Sequence, residues 1–194
     1  MREPFIDPKH RVFHMYMLDG NGCNVFGTAQ CAGRSISWAM DLFDINNARA
    51  FDSAAAQVAP GAGGLIYLPY LEGERSPVFD ALAQGVFFGI NTTHKHEHFV
   101  RAVLEGVAMG LSQVLDTFRE REDIQSLRII GGGAKSKLWK QIISDVCKVE
   151  LLDVSTFSDS ATSLGAAAAA GVGMGLYQNL AEAAAHIAVS GSVQ

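Results

Sequence analysis

The segment Arg128-Ile129-Ile130-Gly131-Gly132-Gly133-Ala134-Lys135-Ser136-Lys137-Leu138-Trp139 places three glycines directly behind a run of branched apolar residues. Such a run reads as the end of a buried β-strand. Glycines at a strand end let bare backbone approach a ligand that any Cβ would hold off. Residues 136–147 then read as a helix whose N-terminal amides face the same spot, where they could meet an adenosine or its phosphates. The same parts also make an ordinary tight turn, so the segment alone does not settle the matter.

Outward from this turn, strand and helix signals alternate, which predicts an α/β fold with a mixed sheet flanked by helices. Residues 12–18 and 23–28 flank Asp19-Gly20-Asn21-Gly22, the makings of a tight hairpin. Helices are expected over 35–44 and 47–57, then the breaker Pro60-Gly61-Ala62-Gly63-Gly64, a short strand over 65–68, and a strand over 85–90. Residues 70–84 between those strands lack periodicity and form a long ordered loop. The clearest element is a core helix over 94–121, capped by Thr93, with Val100, Val103, Leu104, Val107, Leu111, Val114 and Leu115 on one stripe. After the glycine turn come a strand over 150–154, an alanine-rich helix from about 160 ended by Gly171, Gly173 and Gly175, and a closing helix over 179–189.

Composition bounds the function. The 194 residues carry a net charge of −5 and are 48% hydrophobic and 18% charged, an ordinary globular balance that argues against a sequence-independent grip on nucleic acid. No apolar run is long enough to span a bilayer, and Met1-Arg2-Glu3-Pro4 lacks the apolar stretch of a signal peptide, so a cytoplasmic location is expected. Cys23, Cys31 and Cys147 contain no Cys-x-x-Cys pair and read as reduced, packed thiols.

Gly85-x-Phe87-x-Gly89-Ile90, followed after seven residues by His98-Phe99-x-x-Ala102-Val103-Leu104-Glu105, resembles a signature of the FGGY carbohydrate kinases. Leu68-Pro69-Tyr70-Leu71-Glu72-Gly73-Glu74-Arg75-Ser76-Pro77, the glycine turn, and Ala161-Thr162-Ser163-Leu164-Gly165-Ala166-Ala167 join it in the family's order. The likeness is greatest to the xylulokinase branch and runs over residues 8–187.

That resemblance implies a ribonuclease H-like lobe of the sugar kinase, Hsp70 and actin superfamily, with residues 1–194 as a single C-terminal nucleotide-binding lobe. It implies ATP or ADP, with Mg2+ held through phosphates and the N-terminal lobe, and a sugar such as a ketopentose as acceptor. Gly131, Gly132, Gly133 and Ala134 would pass the adenosine by backbone, and Ser136 or Lys137 would supply the polar contact, where many relatives carry asparagine. Glu105 would orient nearby loops. The family's Asp-x-Gly-Thr phosphate motif and its aspartate general base are not in this sequence, so no catalytic residue is assigned and the chain alone is expected to be inactive. Gly27-Thr28 reads as plain strand rather than a phosphate hairpin. The implied partner is the N-terminal kinase lobe, with self-association or an exposed apolar patch expected on an uncovered face.

Other candidates have plainer readings. His94, His96 and His98 would open a helix, where only His94 and His98 share a face, so a solvated first turn is favoured over a metal site. Glu72 and Glu74 read as paired within their loop with Arg75 rather than as an acid and base pair. Arg75 could itself reach a ligand cleft from that loop. A non-catalytic adenine-nucleotide-binding or regulatory module remains the alternative function, and an α/β interaction domain with a merely tight glycine turn is a third.

Overall fold

The computed structural model describes residues 6–17, 20, 22–154, 160–186 and 189–193. The chain opens with β1 (Phe13–Tyr16) and β2 (Cys23–Phe26), an antiparallel hairpin that sets Phe13 opposite Phe26 and Tyr16 opposite Cys23. Gly20 takes a φ of +69° and donates its N–H to the Met17 carbonyl at 3.0 Å. Asp19 and Asn21 of the expected turn lie outside the described residues. Gly27 and Thr28 follow β2 rather than extending it. A Cβ at Gly27 would collide with Val114, and the Thr28 carbonyl accepts the Ser76 N–H at 3.1 Å, so these two residues dock the 70–84 loop.

Helix α1 (Ala32–Leu42) and helix α2 (Ala48–Ala55) come next, the second capped by the Asn47 side chain, which accepts the Ala50 N–H at 3.0 Å. Strands β3 (Ile66–Leu68) and β4 (Val86–Phe88) pair antiparallel across the intervening loop. Alternation along them turns Tyr67 and Phe87 inward, with ring centroids 4.8 Å apart. Ile66, Leu68, Val86 and Phe88 stand on the other face and are exposed.

Helix α3 (His96–Arg119) is the axis of the core: Val100, Val103, Leu104 and Val107 are fully buried, and α1, α2, β3 and α4 (Lys137–Cys147) pack on it. It begins later than expected. Lys95, not Thr93, is the N-cap, its backbone N–H donating to His98 Nδ1 at 3.2 Å, while the Thr93 hydroxyl donates to Asn91. His94 lies just before that cap and so shares no helical face with His98, but the two side chains are half-buried, with rings 5.3 Å apart and His94 Nε2 at 3.1 Å from the Gly63 carbonyl. The pair holds the glycine-rich turn before β3 rather than forming a solvated first turn.

A mixed three-stranded sheet completes the fold. Strand β5 (Ser126–Ile129) runs parallel to β6 (Glu150–Val154), and β7 (Val189–Val193) is antiparallel to β6. The closing helix is shorter than its alanines suggest: α5 (Ala161–Gly173) is followed by α6 (Leu180–Ala185), and Val189, read as the end of that helix, begins β7. Small and β-branched residues around Ser190-Gly191-Ser192 carry little helical signal, and pairing with β6 decides their state. Helix α5 ends in a Schellman motif, with Leu176 N–H on the Gly171 carbonyl at 2.8 Å, Gly175 N–H on that of Val172 at 3.0 Å, and Gly175 at φ +78°. All three cysteines are buried thiols, and burial pushes the Cys31 and Cys147 thiols up in pKa. Among the described residues, no helix is long and apolar enough to cross a membrane.

The segment before β1 is fixed by charge. The buried Asp7 carboxylate accepts Arg11 Nε and Nη2, each at 2.9 Å, and the Arg11 backbone N–H at 2.7 Å, while Arg11 also grips Glu120 at the end of α3 at 2.7 and 2.8 Å. The Arg11 guanidinium holds the Asp7 carboxyl well below the usual carboxylate range. A depressed folded pKa adds stability above the unfolded value of about 3.9 and loses it as pH falls from there toward the folded pKa. Asp7→Asn is therefore expected to lower Tm at pH 7, with the deficit shrinking as pH drops below about 4. An unchanging deficit between pH 7 and pH 3 would show that the charge is not what anchors this segment.

Candidate functional site

Helices α1, α2, α3 and α4 and the glycine turn line a half-open cavity of about 280 Å³. Helix α1 offers Gly33, Ile36, Ser37 and Met40, whose i, i+3, i+4, i+7 spacing is one helical face. Helix α2 adds Phe51 and Asp52, and Leu104 of α3 contributes from the core. The remaining wall is Gly132, Gly133, Ser136 and Trp139.

The glycine turn is not a direct strand-to-helix step. Strand β5 stops at Ile129, Ile130 is exposed, and a 3₁₀ turn over Gly132–Lys135 intervenes before α4. Ser136 is the N-cap of that helix, its hydroxyl accepting the Trp139 N–H at 2.9 Å. The hydroxyl proton remains available to a second acceptor. Beneath the turn, buried Lys140 reaches Asp153 of β6 at 2.7 and 2.9 Å, which ties α4, and with it the turn, to the sheet.

The three glycines have different reasons to be glycine. Gly131 sits at φ +85°, a conformation that side chains strain. Gly133 lies against the Trp139 indole, where a Cβ would come within 2.9 Å of Cε3 and closer still to Cζ3. Gly132 has neither constraint: its φ is not positive and a Cβ there would meet nothing within 4 Å. Trp139 is 8% exposed, and its indole Nε1 has no hydrogen-bond partner among the described residues. That nitrogen has almost no accessible surface, so it lies behind the cavity wall rather than facing into it.

Of the residues singled out in the sequence, Gly132, Gly133 and Ser136 meet at this cavity. Gly131 and Ala134 shape the turn without lining it, and Lys137 is exposed at the start of α4. Arg75 is exposed on its loop and does not line the cavity. Its neighbours pair elsewhere than expected: Glu72 binds Arg34 of α1 at 2.7 Å, and buried Glu74 accepts the backbone N–H groups of Gln30 and Arg75, both at 2.7 Å. Glu105 acts on a loop as expected, accepting the Gly61 N–H at 3.0 Å as well as Arg101 Nε at 2.6 Å. Sequence reading missed the whole α1 and α2 wall. Its only signal was the helical spacing of Gly33, Ile36, Ser37 and Met40, which also describes any packed helix.

Comparison with known proteins identifies the family. The model of the FGGY family of carbohydrate kinases, C-terminal domain, matches residues 3–174. The xylulose kinase of Bacillus subtilis (strain 168) is 32% identical over 160 residues, covering 81% of this chain and 32% of that protein. The gluconokinase of Bacillus licheniformis is 33% identical over 171 residues, covering 81% of this chain and 33% of that one. The crystal structure of ligand bound xylulose kinase from Lactobacillus acidophilus superposes with a TM-score of 0.89 at 27% identity, over 98% of this chain and 39% of that one. The chain thus spans about a third of the length of the curated relatives it matches.

Proposed function

The chain belongs to the FGGY family of carbohydrate kinases, as its C-terminal domain with the ribonuclease H-like fold of sugar kinases, and from that premise we propose that it is the nucleotide-binding lobe of an ATP-dependent sugar kinase. The acceptor on this reading is a hydroxyl of a ketopentose such as xylulose, the named substrate class of one set of relatives; the gluconokinases among the others make a sugar acid the competing choice. The observation that carries the proposal is Gly132, a glycine that neither backbone conformation nor packing demands, on the wall of the cavity.

Size selects which part of the nucleotide enters. A cavity of 280 Å³ is at the lower end of small-molecule clefts, which begin at roughly 300 Å³, so it suits a nucleoside rather than a whole triphosphate. Gly132 and Gly133 would pass the ribose by backbone, Ser136 would add a hydroxyl contact, and Ile36, Met40 and Phe51 would flank the base. The triphosphate then leads out of the cavity, carrying Mg2+ with it. Phosphoryl transfer depends on positioning and charge stabilisation. This chain's share is to fix the nucleoside, while the phosphate hairpins and the aspartate base of the family come from an N-terminal lobe as partner. The exposed apolar face of β3 and β4 is consistent with a protein partner.

Titration calorimetry of the purified chain with ATP and ADP tests the reading. Saturable binding in the micromolar to millimolar range is expected, without turnover of ATP in the presence of xylulose. Absence of saturable binding overturns the nucleotide assignment. Turnover by the chain alone overturns the assignment of the chemistry to another lobe.

A further inference from the structure

A second groove lies along α3, away from the glycine turn. Leu111, Val114, Leu115 and Phe118 share one helical face by their i, i+3, i+4, i+7 spacing and floor a cavity of about 390 Å³. Val25, Gly27 and Ala29 form one wall, and Leu127 and Ile129 of β5 form the other. The β1–β2 hairpin and the β5–β6–β7 sheet on its two sides do not pair with each other. Beyond β2 the 70–84 loop covers the hairpin, with the Ser76 N–H on the Thr28 carbonyl and the Gln30 N–H on Glu74. Strand β1 is therefore the open edge, and all four of its residues are exposed, Tyr16 to 74%.

Backbone alternation fixes which groups that edge presents. The Met17 N–H donates to the Gly22 carbonyl, so the N–H and C=O of His14 and Tyr16 point away from β2. The Gln125 carbonyl accepts the Glu150 N–H, so those of Ser126 and Arg128 point away from β6. A two-stranded hairpin is marginal by itself, and open edges beside an apolar groove are a template for a further strand. We infer that the groove between the hairpin and β5 accepts one extended strand from the N-terminal part of the kinase polypeptide, apolar toward α3 and hydrogen-bonded to both β1 and β5, which joins the two sheets into one.

The two rows of backbone groups select a strand over a small apolar molecule, which would fill the groove and leave them unpaired. A second copy of this chain does not fit: every strand among the described residues is already paired along one edge, so none can bond to β1 and β5 at once. The N-terminal part of the kinase is at hand. The family match is to a C-terminal domain, and the chain spans about a third of the length of its curated relatives, so those proteins carry much polypeptide ahead of the matched part. Arg11 ties the segment leading into β1 to Glu120, just past Phe118, which brings polypeptide preceding β1 to the end of the groove. None of this depends on a nucleotide in the other cavity.

The probe is a synthetic peptide of about 15 residues, enough for one strand and its flanks. Its sequence is the stretch that directly precedes, in the xylulose kinase of Bacillus subtilis (strain 168), the part equivalent to residues 6–17. Calorimetry should show saturable binding of this peptide and not of a scrambled one. Amide hydrogen exchange should slow by at least about tenfold at His14, Tyr16, Ser126 and Arg128 together when it binds. Arg128→Pro removes an outward N–H at an edge position where proline is tolerated, and peptide affinity should fall by at least about tenfold with an unchanged circular dichroism spectrum. No binding at about 1 mM, equal binding of the scrambled peptide, protection along only one edge, or unchanged affinity in the variant overturns the inference. So does protection of all four amides in the chain alone with a mass that rises with concentration, which makes a second copy the occupant. If Arg128→Pro does not fold, the exchange measurement on the unsubstituted chain decides. ATP is absent throughout, so failure of the nucleotide reading leaves this result untouched.

Discussion

Glu105→Ala is expected to destabilise the fold by about 3–5 kcal/mol, because it strands the Arg101 guanidinium in the core. Both side chains are more than nine-tenths buried on α3, and Arg101 Nε meets Glu105 at 2.6 Å. The same carboxylate accepts the Gly61 N–H at 3.0 Å, so its loss also leaves the turn before β3 without its tie to α3. For a chain of this size each kcal/mol moves Tm by roughly 2–4 °C, and a fall on the order of 10 °C is expected. Replacing the pair together, Arg101→Met with Glu105→Leu, should recover much of that loss, since buried ion pairs and apolar pairs of similar volume are often near parity. Recovery should be incomplete by the cost of the unpaired Gly61 amide, about 1 kcal/mol. A single variant within about 0.5 kcal/mol of the unsubstituted chain would show that the pair is dispensable and that Glu105 does not hold that turn.

What could be read from the sequence follows the range of the interaction involved. Helix α3 was legible because its apolar stripe repeats with the helical period, and the β3 and β4 strands because Pro69 and flanking glycines bound them. Local chemistry misled at the α3 start, where Thr93 suits a cap but its hydroxyl turns to Asn91 instead. Long-range pairing was invisible: β7 is a strand because β6 offers an open edge, and nothing within residues 189–193 announces it. The cavity shows the same division. The glycine turn was apparent in one unbroken run, whereas the opposite wall is assembled from α1 and α2, some 80 to 100 residues earlier in the chain, only once both pack on α3.

Substituting the three glycines one at a time separates folding from binding and gives the largest functional effect expected. Gly131→Val forces a branched side chain to φ +85° and should cost about 1–2 kcal/mol of stability. Gly133→Val presses into the Trp139 ring and should cost about 1–3 kcal/mol through overpacking. Both would weaken nucleotide binding by distorting the turn. Gly132→Val differs: the space around its Cβ is open, so stability should stay within about 1 kcal/mol. The added side chain nevertheless occupies the approach to the cavity wall, and ATP affinity should fall by at least about tenfold, equivalent to about 1.4 kcal/mol. Thermal melts paired with ATP titrations distinguish these cases. If Gly132→Val melts with the unsubstituted chain and binds ATP equally well, the backbone at Gly132 is not where a nucleoside lies, and this cavity loses its claim to the site even if the chain binds ATP elsewhere.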